Sequence, residues 1–320
     1  MGVNRIMRFK SRTIGKKKYR YAVKSVRLSP QKVVRLEKLY KNESAQELGQ
    51  IFLVKEQQEH FKYALNTFGP DHIFTESVLQ HIETNKFGYR RLLRGLTPVS
   101  LQDLLNRFTA NFTYESNALE GNSLTLKDVS LVMFENISVP HKDLREIYET
   151  RNSRQVVELI HHNKFALTHQ DIIKMHQLLV KDLEVHTGYK QFPNIILGKT
   201  VPTTPPEKVH EKMEELLQWY HQNKDKLHPL RLAAIFHGRF EQIHPFEDGN
   251  GRVGRFLINL ILTKSKYPPL IIRKTQRVSY LKALENFDHH HKDTLERFLI
   301  ERFNETYHKF FEIYVKYLQN

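Results

Sequence analysis

The run His244-Pro245-Phe246-Glu247-Asp248-Gly249-Asn250-Gly251-Arg252-Val253-Gly254-Arg255 gathers a base, a carboxylate, a glycine-flanked turn and two arginines in one short stretch. An apolar run with helical spacing follows at once: Val253, Phe256, Leu257, Leu260 and Ile261. A helix start presents unpaired backbone N–H groups and a partial positive charge. Glycines ahead of it let the backbone wrap an anion closely, so the junction reads as a phosphate cradle. Arg252 and Arg255 lie three apart, on one helical face, with forks suited to phosphate oxygens. Asp248 is a hard oxygen ligand. One carboxylate plus substrate phosphates is the usual way a protein holds Mg²⁺. His244 can exchange a proton near neutral pH, and a base beside a phosphate site implies activating a nucleophile that attacks phosphorus. The chemistry suggested is Mg²⁺-dependent transfer of part of a nucleotide to a hydroxyl group.

Each of these residues taken singly has a structural explanation. Pro245 and the glycines could punctuate two helices, the arginines could form a solvated face, and a lone histidine is more often structural than catalytic. Their joint occurrence at one loop–helix junction favours chemistry.

His244 to Arg255 resembles the signature of the Fic family, His-Pro-Phe-x-Asp-Gly-Asn-Gly-Arg-x-x-Arg, at every fixed position. The flanks are similar as well, through Ala233, Ala234, His237, Phe240 and Ile243 before it and residues 256–262 after it. The resemblance covers about residues 100 to 300. It implies roles residue by residue. His244 would accept the proton of the target hydroxyl, and Asp248 would bind Mg²⁺ bridging the α- and β-phosphates. Gly249, Asn250 and Gly251 would form the anion-binding turn, with Arg252 and Arg255 on the β- and γ-phosphates. Such proteins mostly transfer AMP from ATP to a Ser, Thr or Tyr of another protein. The branch that transfers phosphate has Lys at the position of Gly251, so glycine there favours nucleotidyl transfer.

Far upstream, Ser116-Asn117-Ala118-Leu119-Glu120-Gly121 reads locally as a helix end, since Leu104, Leu105, Phe108 and Phe112 recur at helical spacing and Gly121 fits a stop. It also resembles the family's inhibitory motif, Ser/Thr-x-x-x-Glu-Gly/Asn. The resemblance implies that Glu120 pairs with Arg255 and withholds the charge that a γ-phosphate needs. In some relatives the same glutamate positions a water that removes AMP, so AMP removal is an alternative activity. Another nucleotide donor is a second alternative, since the signature reads phosphates and not the base.

These residues need a helical scaffold. The chain has 320 residues, 40% of them hydrophobic and 27% charged, which suits a globular protein with a large core. With no cysteine, disulfides, thiolate metal sites and cysteine nucleophiles are excluded. No apolar leader follows Met1, and the longest mostly apolar stretch, 256–262, is too short to span a membrane. A cytoplasmic protein with no membrane association is expected. The net charge of +15 is concentrated early, from Arg5 to Arg27. It reads either as a basic soluble surface or as a site for nucleic acid or another anionic partner. A nucleic-acid or scaffold binder is thus the alternative of another class, although no recognised nucleic-acid motif accompanies the charge.

The fold class expected is all-α: a Fic-type helical core with a β-hairpin flap, a helical N-terminal region and a small N-terminal hairpin. Three segments are expected. Residues 1–28 form the basic N-terminal segment, where 19–28 alternate in strand fashion and pair with 7–13 across the turn at Gly15. Residues 29–125 form a helical region carrying the inhibitory helix, opened by the start signal Ser29-Pro30. Residues 126–320 form the core and C-terminal helices.

Phe192, Ile195, Ile196, Leu197 and Val201, between Gly188 and Pro206, read as a hairpin. The resemblance makes this a flap that docks a target segment by strand addition. Relatives often have Arg three residues after the first glycine, where this chain has Gln191 with Lys190 beside it. Tyr280 either approaches the nucleotide, as in relatives, or is a core aromatic. His289-His290-His291 reads as a polar helix end, because adjacent histidines point in different directions. The amphipathic tail 295–318 packs on the core or mediates a homodimer.

Overall fold

The computed structural model describes residues 7–29, 31–194 and 201–317. The chain divides into two units, Met1–Gly95 and Leu96–Asn320.

In the first unit, β1 (Met7–Ile14), β2 (Lys17–Arg27) and β3 (Val33–Leu39) form an antiparallel sheet in the order β1-β2-β3. Met7 pairs with Lys24 and Tyr21 with Leu39, which fixes the register. One face carries Ala22, Val26 and Leu36 onto Leu48 and Phe52 of α1 (Ala45–Phe68). Helix α2 (Glu76–Gly95) packs on α1. The expected hairpin is present, but the helix expected from Ser29 is not. Pro30 lies outside the described residues, and residues 33–39 are a strand. The sequence Val33-Val34-Arg35-Leu36-Glu37-Lys38-Leu39 is short enough to fit either period, and its β-branched valines with a waiting edge on β2 decide for strand. The operative helix start is Ser44. Its side chain accepts from the Glu47 backbone while Glu47 reaches back to the Ser44 N–H, a capping box that defines α1.

The second unit is helical: α3 (Pro98–Leu119), α4 (Leu126–Ser130), α5 (Leu144–His161), α6 (His169–Leu179), α7 (Pro206–Asn223), α8 (Pro229–Ile243), α9 (Asn250–Lys264), α10 (Arg277–Asp288), α11 (Lys292–Thr306) and α12 (Glu312–Tyr317). Single π-helical turns follow α4 and α11. Helices α8 and α9 lie at the centre, buried over most of their lengths. Helices α7, α10 and α11 pack on α8, whereas α3, α5 and α6 pack on α9. Phe236, Phe240, Phe246 and Phe256 fill the space around this pair.

The unit boundary falls at 95/96 and not at the expected 125/126. The reason is packing. Helix α3 lays Phe108 and Phe112 against Phe311 and Phe256, so the helix expected to inhibit belongs to the core it would regulate. Of the expected flap, Ile195, Ile196 and Leu197 lie outside the described residues. The described flanks 188–194 and 201–205 contain no strand. The three consecutive histidines form the turn from α10 to α11. Among the described residues, no helix is long and apolar enough to cross a membrane.

Candidate active site

Helix α8 ends where Pro245 restricts the residue before it, and His244 takes up a left-handed conformation, φ 48° and ψ 63°. Holding a non-glycine residue there costs about 1 kcal/mol. The bend turns the chain from α8 into the loop that leads to α9 while keeping the His244 ring on the α8 side. There Nδ1 lies 3.6 Å from Glu241 Oε2, one helical turn back. Glu241 is buried. Burial alone would raise its carboxyl pKa, but His244, His237 and Arg255 outweigh it and pull the value down to about 2. A fixed negative charge therefore lies beside the His244 ring.

The loop closes on itself. The Asn250 side chain accepts from the Phe246 backbone N–H at 2.9 Å and donates to the Phe246 carbonyl at 2.7 Å. His176 of α6 stacks on Phe246 at 3.9 Å, and its Nε2–H donates to the Asp248 carbonyl at 3.0 Å. Gly249 adopts φ +80°, a conformation that excludes most side chains, and α9 starts at Asn250 with no side chain capping it. The first N–H groups of α9 are thus directed toward the site in the manner of an anion cradle. Asn250 serves by shaping this loop.

Arg252 and Arg255 are both 2% exposed. Arg255 donates to Ser116 Oγ at 2.9 Å and to the Ser116 carbonyl at 2.8 Å, and pairs with Glu120 Oε1 at 2.7 Å. Burial alone would lower its basicity, but Glu120, Tyr280 and Glu241 reverse this and raise it. Glu120 is the C-cap of α3, the residue just after Leu119. Gly121 follows at φ +100°, and Arg277 donates to the Leu119 carbonyl at 3.0 Å, so the helix end is fixed in place. The Glu120 carboxylate lies directly over Gly251: a Cβ there would overlap Glu120 Oε1 and come within 2.9 Å of Arg255 Nη1.

The residues expected from sequence thus come together: Ser116, Glu120, His244, Asp248, Gly249, Asn250, Gly251, Arg252 and Arg255. Tyr280 stands behind them. It is 3% exposed, with Oη 2.8 Å from His237 Nε2 and its ring stacked on the His237 ring. Its geometry is that of a core aromatic.

Sequence reasoning missed the contribution of α5. Arg145 pairs with Asp248, and Glu149 lies 3.4 Å from Arg252 and 3.3 Å from Arg145. Asn122, just past the inhibitory motif, donates to Glu149 at 3.2 Å. Both arginines of the signature therefore already face carboxylates. An arginine and a glutamate four apart on a helix read as an ordinary exposed pair, so no local signal marked them. Glu241 did carry one, three residues before His244 and hence on its side of α8.

Three buried histidines set an acid limit on the fold. His176 and His237 in the second unit and His60 in the first are all pushed down to about 4, chiefly by burial. Unfolded histidines take up protons below about 6.5, whereas these stay neutral in the fold. Stability is therefore complete above about pH 6.5 and falls as pH drops toward about 4, by on the order of 3 kcal/mol per residue. Thermal melts are expected to shift down steeply between pH 6.5 and 4.5; a flat profile there would contradict neutral burial.

Residues 166–262 match the family model of the Fic/DOC family and constitute a Fic domain. The chain is 30% identical over 182 residues to the protein adenylyltransferase Fic of Nematostella vectensis, covering 55% of this chain and 42% of that protein. It is 28% identical over 180 residues to the protein adenylyltransferase fic-1 of Caenorhabditis elegans, covering 54% and 35%. The alignment spans less than half the length of these curated relatives. Among solved structures, a Fic domain containing signaling protein from Bacteroides thetaiotaomicron superposes with a TM-score of 0.66 at 27% identity, over 75% of this chain and 97% of that one. Fic-1 from C. elegans shares the fold, with a TM-score of 0.61 at 21% identity over 84% and 85%.

Proposed function

We propose that this chain transfers AMP from ATP to a hydroxyl side chain of a target protein and is restrained by Glu120. One observation carries the reading: His244, Asp248, Arg252 and Arg255 converge at the uncapped start of α9. Arg252 and Arg255 would hold the terminal phosphates. His244, backed by Glu241, would take the proton of the attacking hydroxyl. Catalysis would rest on positioning and charge, as is general at phosphorus. Glycine at position 251, where the resemblance puts Lys in the phosphoryl-transferring branch, supports nucleotidyl transfer, and Glu120 fills the space that a side chain there would need. The test is incorporation of label from α-labelled against γ-labelled ATP. Label from the α-position alone supports the reading, and label from the γ-position alone overturns it.

Asp248 is the carboxylate that would hold Mg²⁺. A single half-exposed carboxylate beside a phosphate cradle fits the usual mode, in which substrate phosphates and water supply the other ligands. Bound there, the ion would neutralise phosphate charge. Arg145 now occupies this carboxylate and competes with it. Arg145→Ala is therefore expected to lower the Mg²⁺ concentration needed for half-maximal label incorporation, by up to about fivefold for so exposed a pair. An unchanged or raised requirement would show that Arg145 does not compete.

AMP removal is a second reading, favoured by the placement of the Glu120 carboxylate over Gly251, at the cradle itself. Loss of AMP from a pre-modified protein, abolished by Glu120→Gly, would establish it. The proposal includes cytoplasmic action and a homodimer that steadies α3.

A further inference from the structure

The sheet of the first unit has a second face, turned away from α1. Its register places Arg8, Lys10 and Arg12 of β1 beside Val23, Tyr21 and Tyr19 of β2. Lys17 and Arg27 lie at the ends of β2 on this face, and Arg35 on β3. These six cations are exposed, and the two tyrosines between them are partly exposed. Among the described residues of the sheet, this face holds one carboxylate, Glu37, and Arg12 pairs with it at 2.7 Å. The α1-facing side is different. There Ala22, Val26 and Leu36 are buried, and Lys24 is matched by Glu56 at 2.7 Å.

So many like charges on one face repel each other and contribute little to the fold. The pleat thus places six of the cations of the sheet on this surface, with Lys18, Arg20, Lys24 and Lys38 on the other. Same-face residues of a strand recur about every 7 Å, so β1 presents a straight row of cations that an extended phosphodiester chain can follow. Tyr19 and Tyr21, next in from that row, offer ring faces to bases. Arg12 already lies over the Tyr21 ring at 5.3 Å. Cations along an edge with aromatics at the centre of a sheet make the arrangement that binds unpaired nucleotides, by phosphate contact and by stacking. The large apolar side chains exposed here, Ile14 and Val33, stand at opposite ends of the sheet and not together, which does not suit insertion into a lipid surface.

We propose that this face binds single-stranded nucleic acid, with phosphates on the cations of β1 and bases on Tyr19 and Tyr21.

The test is fluorescence anisotropy of a labelled oligouridine of about 12 nucleotides with the full chain, in excess ATP so that the α9 site is occupied by nucleotide. Binding is expected to weaken about tenfold or more between about 50 and 200 mM salt. In Arg8→Gln/Lys10→Gln/Arg12→Gln, the slope of log affinity against log salt is expected to fall by about 2. Tyr19→Leu/Tyr21→Leu keeps apolar packing and is expected to lose about tenfold in affinity. All substituted positions are at least partly exposed, and circular dichroism checks that each variant folds. Three results would overturn the proposal: no binding by the wild type at low salt, affinity unchanged in both variants, or capture by phosphatidylserine vesicles with no binding of the oligonucleotide.

Discussion

Replacing Glu120 with glycine is expected to raise the transfer of label from α-labelled ATP about tenfold or more. Arg255 donates to the Glu120 carboxylate at 2.7 Å, and a γ-phosphate would need the same guanidinium. Hydrogen bonds to charged groups are worth about 1.5–3 kcal/mol, and the lower end applies because Glu120 is half exposed. That lower figure corresponds to roughly tenfold in nucleotide occupancy. The fold should tolerate the change. Glu120 sits at the helix end, not inside it, and Arg255 keeps both hydrogen bonds to Ser116. The readouts are label incorporation, nucleotide affinity by calorimetry and the melting temperature. A well-folded variant that incorporates less label would refute inhibition by Glu120 and move weight to AMP removal.

Replacing His244 with alanine in the Glu120→Gly background is expected to lower label transfer by about 10²- to 10⁴-fold, the range for removing a general base. Nucleotide affinity should stay within about twofold, because phosphate binding is assigned to Arg252, Arg255 and the α9 backbone, and His244 makes no phosphate contact in the proposed mechanism. The combination separates chemistry from binding. If affinity collapses as well, His244 is shaping the loop and not acting as a base. If transfer persists, another group accepts the proton.

The chemistry was legible in the sequence because it is local. From His244 to Arg255 the base, carboxylate, turn and arginines follow one another along the chain, and spacing alone puts the arginines on one face. The limits of α8 were equally legible from Pro229 and from the Pro245 that ends it. Long-range partners were not. Arg145 lies 103 positions from Asp248, and nothing in its surroundings distinguishes it from a surface charge. Strand β3 was missed because a short apolar pattern fits both periods until β2 offers an edge. The unit boundary was missed because it depends on where α3 finds aromatic partners, at Phe256 and Phe311.

Arg255 is gripped twice, and the two grips differ in kind. Ser116 holds it from within α3 through a backbone carbonyl and a hydroxyl, whereas Glu120 touches it through one half-exposed carboxylate. Releasing the second grip does not disturb the first, so the arginine stays aimed at the phosphate site while its charge is given up. No helix has to slide for this. Rotation of an exposed side chain takes picoseconds to nanoseconds, against microseconds or longer for a helix displacement. On the proposed reading, the restraint would accordingly work as a bias on how often the site is open, not as a gate that must be waited on. Any signal that holds the Glu120 side chain aside for a larger fraction of the time would tune the output in graded fashion.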